Sequence, residues 1–217
     1  DTLVTELNVL ENFEPKVPEV AKNAEYVMLG NLTPDVQRDV IGQMNKRPKL
    51  IGLDTMNFWM DIALDSLKDT LKEVDLLMIN DEEARQLSGE YSLVKAAASI
   101  LQMGPKYLII KKGEHGALLF YEDKIFFAPA LPLEEVFDPT GAGDTFAGGV
   151  MGYLAKADDL SFESFKRSII YGSAMASFCV EKFGTENLMN LSDEQIQTRA
   201  TAFLNLVQVE MDALTTL

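Results

Sequence analysis

The chain has 217 residues, enough for one sizeable core, and its 47% hydrophobic and 24% charged residues are those of a globular protein. With 19 basic against 34 acidic side chains the net charge is −15, which excludes the basic surface that a nucleic-acid backbone or an anionic membrane requires. One histidine, His115, excludes a multi-histidine metal centre; one cysteine, Cys179, excludes an internal disulfide and predicts a reducing, cytoplasmic setting.

The opening stretch, with Asp1, Glu6 and Glu11, lacks a basic patch ahead of an apolar core, so no secretory leader is expected. It reads as the interior of a longer chain. Residues 26–29 then form a buried strand, followed by a helix from Pro34 with Thr33 as its N-cap and Val36, Val40, Ile41 and Met44 as its apolar face. A second strand covers 49–53, and Ile62, Leu64, Leu67 and Leu71 mark the next helix. A third strand, 75–79, ends at Asn80, and helices over 82–87 and 93–101 lead to a fourth, 107–110. Residues 117–121 and 124–127 form a hairpin across Glu122-Asp123. Helices over 144–154, 162–180 and 193–207 close the chain. The apolar run 169–180 is interrupted by Gly172, Ser173 and Ser177 and falls short of the roughly 20 residues a bilayer needs.

Strands alternating with helices at this spacing predict a single α/β domain over 1–217, with a mostly parallel sheet and helices on both faces in three layers. Ligands of such sheets bind beyond the carboxyl ends of the strands. Asn31, Asp54, Asn80 and Lys111 stand there, with the turn after Phe137.

That turn, Asp138-Pro139-Thr140-Gly141-Ala142-Gly143-Asp144, carries the chemistry. Gly141 and Gly143 leave room for an approaching anion, and a glycine turn opening a helix presents free N–H groups at the positive end of the helix dipole. Such an anion hole suits a phosphoryl group in flight, and Asp144 beside it can accept the proton of an attacking hydroxyl. The rival reading makes Asp144 a helix cap in an ordinary loop. The chain has no G-x-x-x-x-G-K-[ST] loop, and the dinucleotide fingerprint fails at Phe146.

The 138–144 string resembles the C-terminal signature of the ribokinase-like (PfkB) carbohydrate and nucleoside kinases. The resemblance implies that Asp144 is the catalytic base and acceptor contact, with Gly141, Ala142 and Gly143 as the anion hole. Asn80-Asp81-Glu82-Glu83 is similar to the family's N-x-x-E element, which implies that Asn80 and Glu83 organise Mg²⁺ and phosphates through water. Residues 109–116 resemble the strand and turn bordering the nucleotide, with Lys111, Gly113 and Gly116. Ser173 falls at an adenine-side position and Gly184 where a loop closes over the nucleotide. Asp138 and Thr140 match positions that, in some members, lie by a monovalent cation such as K⁺.

Two departures stand out. The family's Asp-x-Asn-x-Arg pattern is replaced by Asp54-Thr55-Met56-Asn57-Phe58-Trp59, without arginine. The family's N-terminal strands and small β lid are absent, and residues 2–8 resemble the return from that lid. The resemblance implies transfer of the γ-phosphoryl group of ATP, with Mg²⁺, to an alcohol group of a small sugar or nucleoside. Asn31 is an acceptor-contact candidate, and homodimers through the lid occur in similar proteins. The alternatives are a non-catalytic nucleotide-binding regulator on the same scaffold and, less in keeping with the glycine spacing, a nicotinamide-dependent oxidoreductase.

Overall fold

The structure, a computed structural model, describes residues 6–208. The predicted lid-return segment 2–8 therefore lies outside the described residues as far as Thr5. Length alone favours one domain; the contact pattern resolves two compact units. One runs through Lys112 and includes Leu118–Phe126, and the other holds Gly113–Ala117 and the chain from Phe127 on.

In the first unit β1 (Tyr26–Leu29), β2 (Leu50–Asp54), β3 (Leu76–Asn80) and β4 (Tyr107–Lys111) pair in parallel, in that order. The sheet continues to β5 (Ala117–Tyr121) and β6 (Lys124–Ala128), whose two-residue connection forces an antiparallel return. The central strands are apolar throughout because both their faces are buried, as Leu76, Leu77, Met78 and Ile79 are. Ile51, Leu53, Leu77, Ile79, Leu108 and Ile110 share one face by alternation, and there they meet Leu67, Leu71, Leu87 and Ile100 from the connecting helices.

Those helices are α1 (Pro34–Gly42), α2 (Asn57–Ile62), α3 (Leu64–Leu71), α4 (Asp81–Ser88) and α5 (Leu93–Leu101). Helix α1 opens as predicted, Thr33 Oγ1 accepting from the Val36 N–H at 3.4 Å. Of its predicted apolar face, Val40 and Ile41 do pack against the core, but they are not its most buried residues. Val36, Val40 and Ile41 are half-buried and Met44 lies past the helix end, whereas Pro34 and Gln37 are buried. The reason is polar: Gln37 Nε2 donates to the carbonyls of Gly30 (2.7 Å) and Asp54 (3.1 Å), tying together the ends of β1 and β2. The helix predicted through Ile62 and Leu71 is two helices. Ala63 leaves helical angles (φ −142°, ψ 33°), donating to Trp59 O and accepting from the Leu67 N–H. Ile62 is consequently exposed, and Trp59 and Met60 take the buried positions.

The second unit contains α6 (Ala142–Ala157), α7 (Phe162–Cys179) and α8 (Asp193–Val207). Helix α6 begins two residues earlier than predicted. Helix α8 has the predicted bounds, fixed by a capping box between Ser192 and Gln195. Helices α6 and α7 meet through glycine: a Cβ on Gly149 would sit 2.7 Å from Gly172 Cα. Cys179 is buried, in keeping with its apolar run. Among the described residues no helix is long and apolar enough to cross a membrane.

Candidate active site

Parallel pairing lines up the carboxyl ends of β1 to β4, so their terminal polar residues fall along one edge of the first unit. Asn80 is the register partner of Lys111, and Asp54 that of Met78. By alternation Asp54, Asn80 and Lys111 project to the same face. Two strand spacings, roughly 10 Å, separate β2 from β4, and the long lysine stem bridges most of that span. Lys111 Nζ lies 3.3 and 3.4 Å from the two Asp54 oxygens, and both side chains are largely buried.

Asn80 and Glu83 form a reciprocal cap on α4. Asn80 Oδ1 accepts from the Glu83 N–H at 2.8 Å, and Glu83 Oε2 accepts from the Asn80 N–H at 2.7 Å. The cap fixes the Glu83 carboxyl at the strand end while leaving its second oxygen available. Burial holds this carboxyl above the usual carboxylate range; the Asn80 N–H and Lys111 oppose that shift, and the Asp54 and Glu82 charges add to it. Two carboxylates and an amide make a hard-oxygen donor set. Among the described residues no cluster of three or more His, Cys, Asp or Glu side chains is placed to cage a metal. Oxygen donors of this kind are chemically compatible with a hydrated Mg²⁺, which takes most of its ligands from phosphate and water.

At the end of β1, Asn31 is exposed, and its Oδ1 accepts from Trp59 Nε1 at 2.8 Å. Both border a cavity of about 190 Å³ whose walls include Leu7, Phe13, Leu32 and Met56. That volume is below the roughly 300 Å³ of drug-sized pockets and is suited to a single ring.

In the second unit, Gly141 stands at φ 80°, ψ 0°, a left-handed conformation open to glycine at little cost, and serves as the N-cap of α6. The Ala142 N–H, expected in the anion hole, instead turns inward to Pro139 O at 3.2 Å. The N–H groups of Gly141, Gly143 and Asp144 have no hydrogen-bond partner among the described residues. Asp144 is the third residue of α6 and is exposed. The turn rests on the end of α7: the N–H groups of Phe137 and Asp138 both donate to Val180 O, at 2.8 and 3.2 Å. Asp138 Oδ1 accepts from the Thr140 N–H at 2.9 Å, a bond that lowers the Asp138 carboxyl below its usual range. Beneath the turn, Cys179 Sγ lies 3.8 Å from Thr140 O and 3.9 Å from Gly184 O.

The other predicted positions separate by environment. Gly113 opens a short 3-10 turn and borders open space. Gly116 is needed by packing, because at φ 91° a Cβ would meet Ala128 O at 2.0 Å. Ser173 is half-buried on α7, and Gly184, at φ 58°, lies in the turn beyond that helix with nothing against it. His115 is an exposed turn residue. Sequence reasoning missed the Asp54–Lys111 pair, although a strand-end acid and a strand-end lysine of matching parity were there to be matched. It also missed Gln37, Trp59 and the contact of Cys179 with Thr140, for which the sequence offers no local signal.

The family model described as pfkB family carbohydrate kinase matches residues 2–191. A cytidine kinase of Thermococcus kodakarensis is 30% identical over 143 residues, 64% of this chain and 50% of that protein. A nucleoside kinase structure from Methanocaldococcus jannaschii superposes with TM-score 0.69 at 21% identity, covering 89% of this chain and 60% of that one. A putative ribokinase II from E. coli, solved with ATP and Mg²⁺, gives TM-score 0.64 at 23% identity, covering 81% of this chain and 58% of that one. The mostly parallel six-stranded sheet with its helices is thus the ribokinase fold, and the chain spans about half the length of the relatives it matches.

Proposed function

Since the chain belongs to the pfkB family of carbohydrate kinases, we propose that the whole protein transfers the γ-phosphoryl group of ATP to an alcohol group of a small sugar or nucleoside. The observation that carries this reading is the opening of α6, where unpartnered N–H groups of Gly141, Gly143 and Asp144 accompany an exposed Asp144 carboxylate. Every helix opens on unpaired N–H groups that favour an acid in its first turn; the phosphoryl-transfer reading is supported by the placement of these donors on a glycine turn, which leaves an anion room to approach.

Asp144 takes the proton of the acceptor hydroxyl, and the oxygen attacks the γ-phosphorus as the bond to the β–γ bridging oxygen breaks and ADP departs. Asp144 then returns the proton to solvent. The open N–H groups of the glycine turn stabilise the oxygens of the moving group. Asn80 and Glu83 hold the hydrated Mg²⁺, which when bound screens the phosphate charge. Lys111 contributes positive charge at the same strand ends, and Ser173 and Gly184 border the adenine. Gly113 leaves space for the nucleotide. Asp138 and Thr140 offer oxygen ligands to a monovalent cation. The ring-sized apolar cavity beside Asn31 and Trp59 favours a nucleoside acceptor over a free sugar.

The test is acceptor-dependent ADP formation by the full-length protein across a panel of sugars and nucleosides, with Asp144→Asn alongside. Loss of a general base lowers turnover at least about a hundredfold, with ATP affinity retained. Near-normal turnover of the variant overturns the base assignment. ATP binding without ADP formation in the wild type favours the regulator.

A further inference from the structure

The phosphate-binding turn is held from behind by a network reaching to the last helix, and we propose that Arg199 is a positioning residue for that turn. The inference rests on the kinase reading for its consequence, though not for its geometry.

Arg199 lies on α8, and its guanidinium stacks on the Phe178 ring with 3.9 Å to the centroid. Its Nη1 donates to Ser177 Oγ at 3.1 Å and to Glu181 Oε1 at 2.9 Å. The Ser177 hydroxyl in turn donates to Ala174 O at 2.7 Å. Glu181 Oε2 accepts from Asn187 Nδ2 at 2.9 Å, and the same amide donates to Phe178 O at 3.0 Å. Arg199, Glu181 and Asn187 thus lock the last turn of α7, where a helix leaves its carbonyls without internal partners and a cation is favoured.

That last turn carries the active-site loop. Val180 O receives the N–H groups of Phe137 and Asp138, and the thiol of Cys179 sits between Thr140 O and Gly184 O. If the turn frays, the carbonyl that anchors residues 137 and 138 moves, and the open amides of the glycine turn move with it. Chemistry is sensitive to such shifts, a displacement of about 1 Å being able to reduce turnover about a hundredfold. The bonds of Arg199 do not reach substrate; they act through Val180 and Cys179.

Cys179 is the sole cysteine of these 217 residues and is 2% exposed, so its reaction with an aromatic disulfide reagent, followed at this residue by peptide mapping, reports the opening of this loop. In the full-length protein Arg199→Met, which keeps the stem over Phe178 but loses both bonds, should accelerate labelling about tenfold. It should lower kcat by about the same factor while the KM for ATP changes less than about threefold, because the lost register acts in the transition state. Arg199→Lys, which can still meet Glu181, should recover most of both effects. Asn187→Ala removes the network from the other side and should accelerate labelling likewise, which keeps the idea testable where Arg199→Met folds poorly. Wild-type labelling and wild-type kcat per folded molecule in both disabling variants would overturn the assignment, whatever their melting temperatures. A wild-type protein that makes no ADP refutes the kinase reading, and the labelling rates then decide the positioning role alone.

Discussion

A methyl group added at Gly172 asks α6 and α7 for space that neither can give. Its Cβ would lie 2.8 Å from Phe146 O and 2.8 Å from Val150 Cγ2, and the first of these is a backbone atom inside a helix. Relief requires separating the two helices, and overpacking of this kind costs about 1–3 kcal/mol. Alanine returns roughly 1 kcal/mol through its higher helix propensity. The carbonyl contact places Gly172→Ala in the upper part of the overpacking range, leaving a net loss of about 1–2 kcal/mol. For a chain of this size that is a fall in Tm of about 2–8 °C. Gly148 supplies the control, because it lies in α6, the helix facing α7, is exposed and would bring its Cβ near nothing. Gly148→Ala keeps the propensity gain alone, about 1 kcal/mol, and raises Tm by about 2–4 °C. Thermal melts followed by far-UV circular dichroism read both. Equal melting temperatures for the two variants would refute the close glycine contact, and so would a stabilised Gly172→Ala.

Glu83→Gln keeps the cap on α4, since glutamine serves equally at that position, and removes a buried charge. The folded protein holds the Glu83 proton more tightly than the unfolded chain, whose value is near 4.5, so wild-type stability declines as pH rises from there through the higher folded value. Urea titrations should show the variant gaining on the wild type near neutrality and matching it in acid below about 4.5; an equal gain at both ends would refute the assignment. Lys111→Met leaves the buried Asp54 carboxylate without its lysine, although the Thr55 N–H still donates to it. A loss of about 2–3 kcal/mol in the same titrations is expected, toward the low side for breaking a buried pair; no loss would mean that the pair is not formed in solution.

The segments legible in the sequence are those whose structure is decided locally. Thr33 before Pro34 starts α1, and Ser192 with Gln195 starts α8, because a cap needs residues only three apart. The glycine turn at 138–144 is legible for the same reason. Ala63 carries no such mark: alanine is a good helix former, and the break there follows from Trp59 and Met60 turning inward in place of Ile62. The Asp54–Lys111 pair depends on the register of three strands, and Cys179 reaches Thr140 across 39 positions of sequence. An inward-facing Gln37 defies the apolar face drawn for α1 because two strand-end carbonyls need donors, a demand that arises only once the sheet exists.

Trp59 is the chain's sole indole, and it forms part of a cavity wall with its ring nitrogen fastened to Asn31. An incoming ring that competes for that amide, or that expels water from the hollow, changes the polarity around the fluorophore. The emission of this indole is therefore a built-in optical gauge, tied to one spot among these 217 residues.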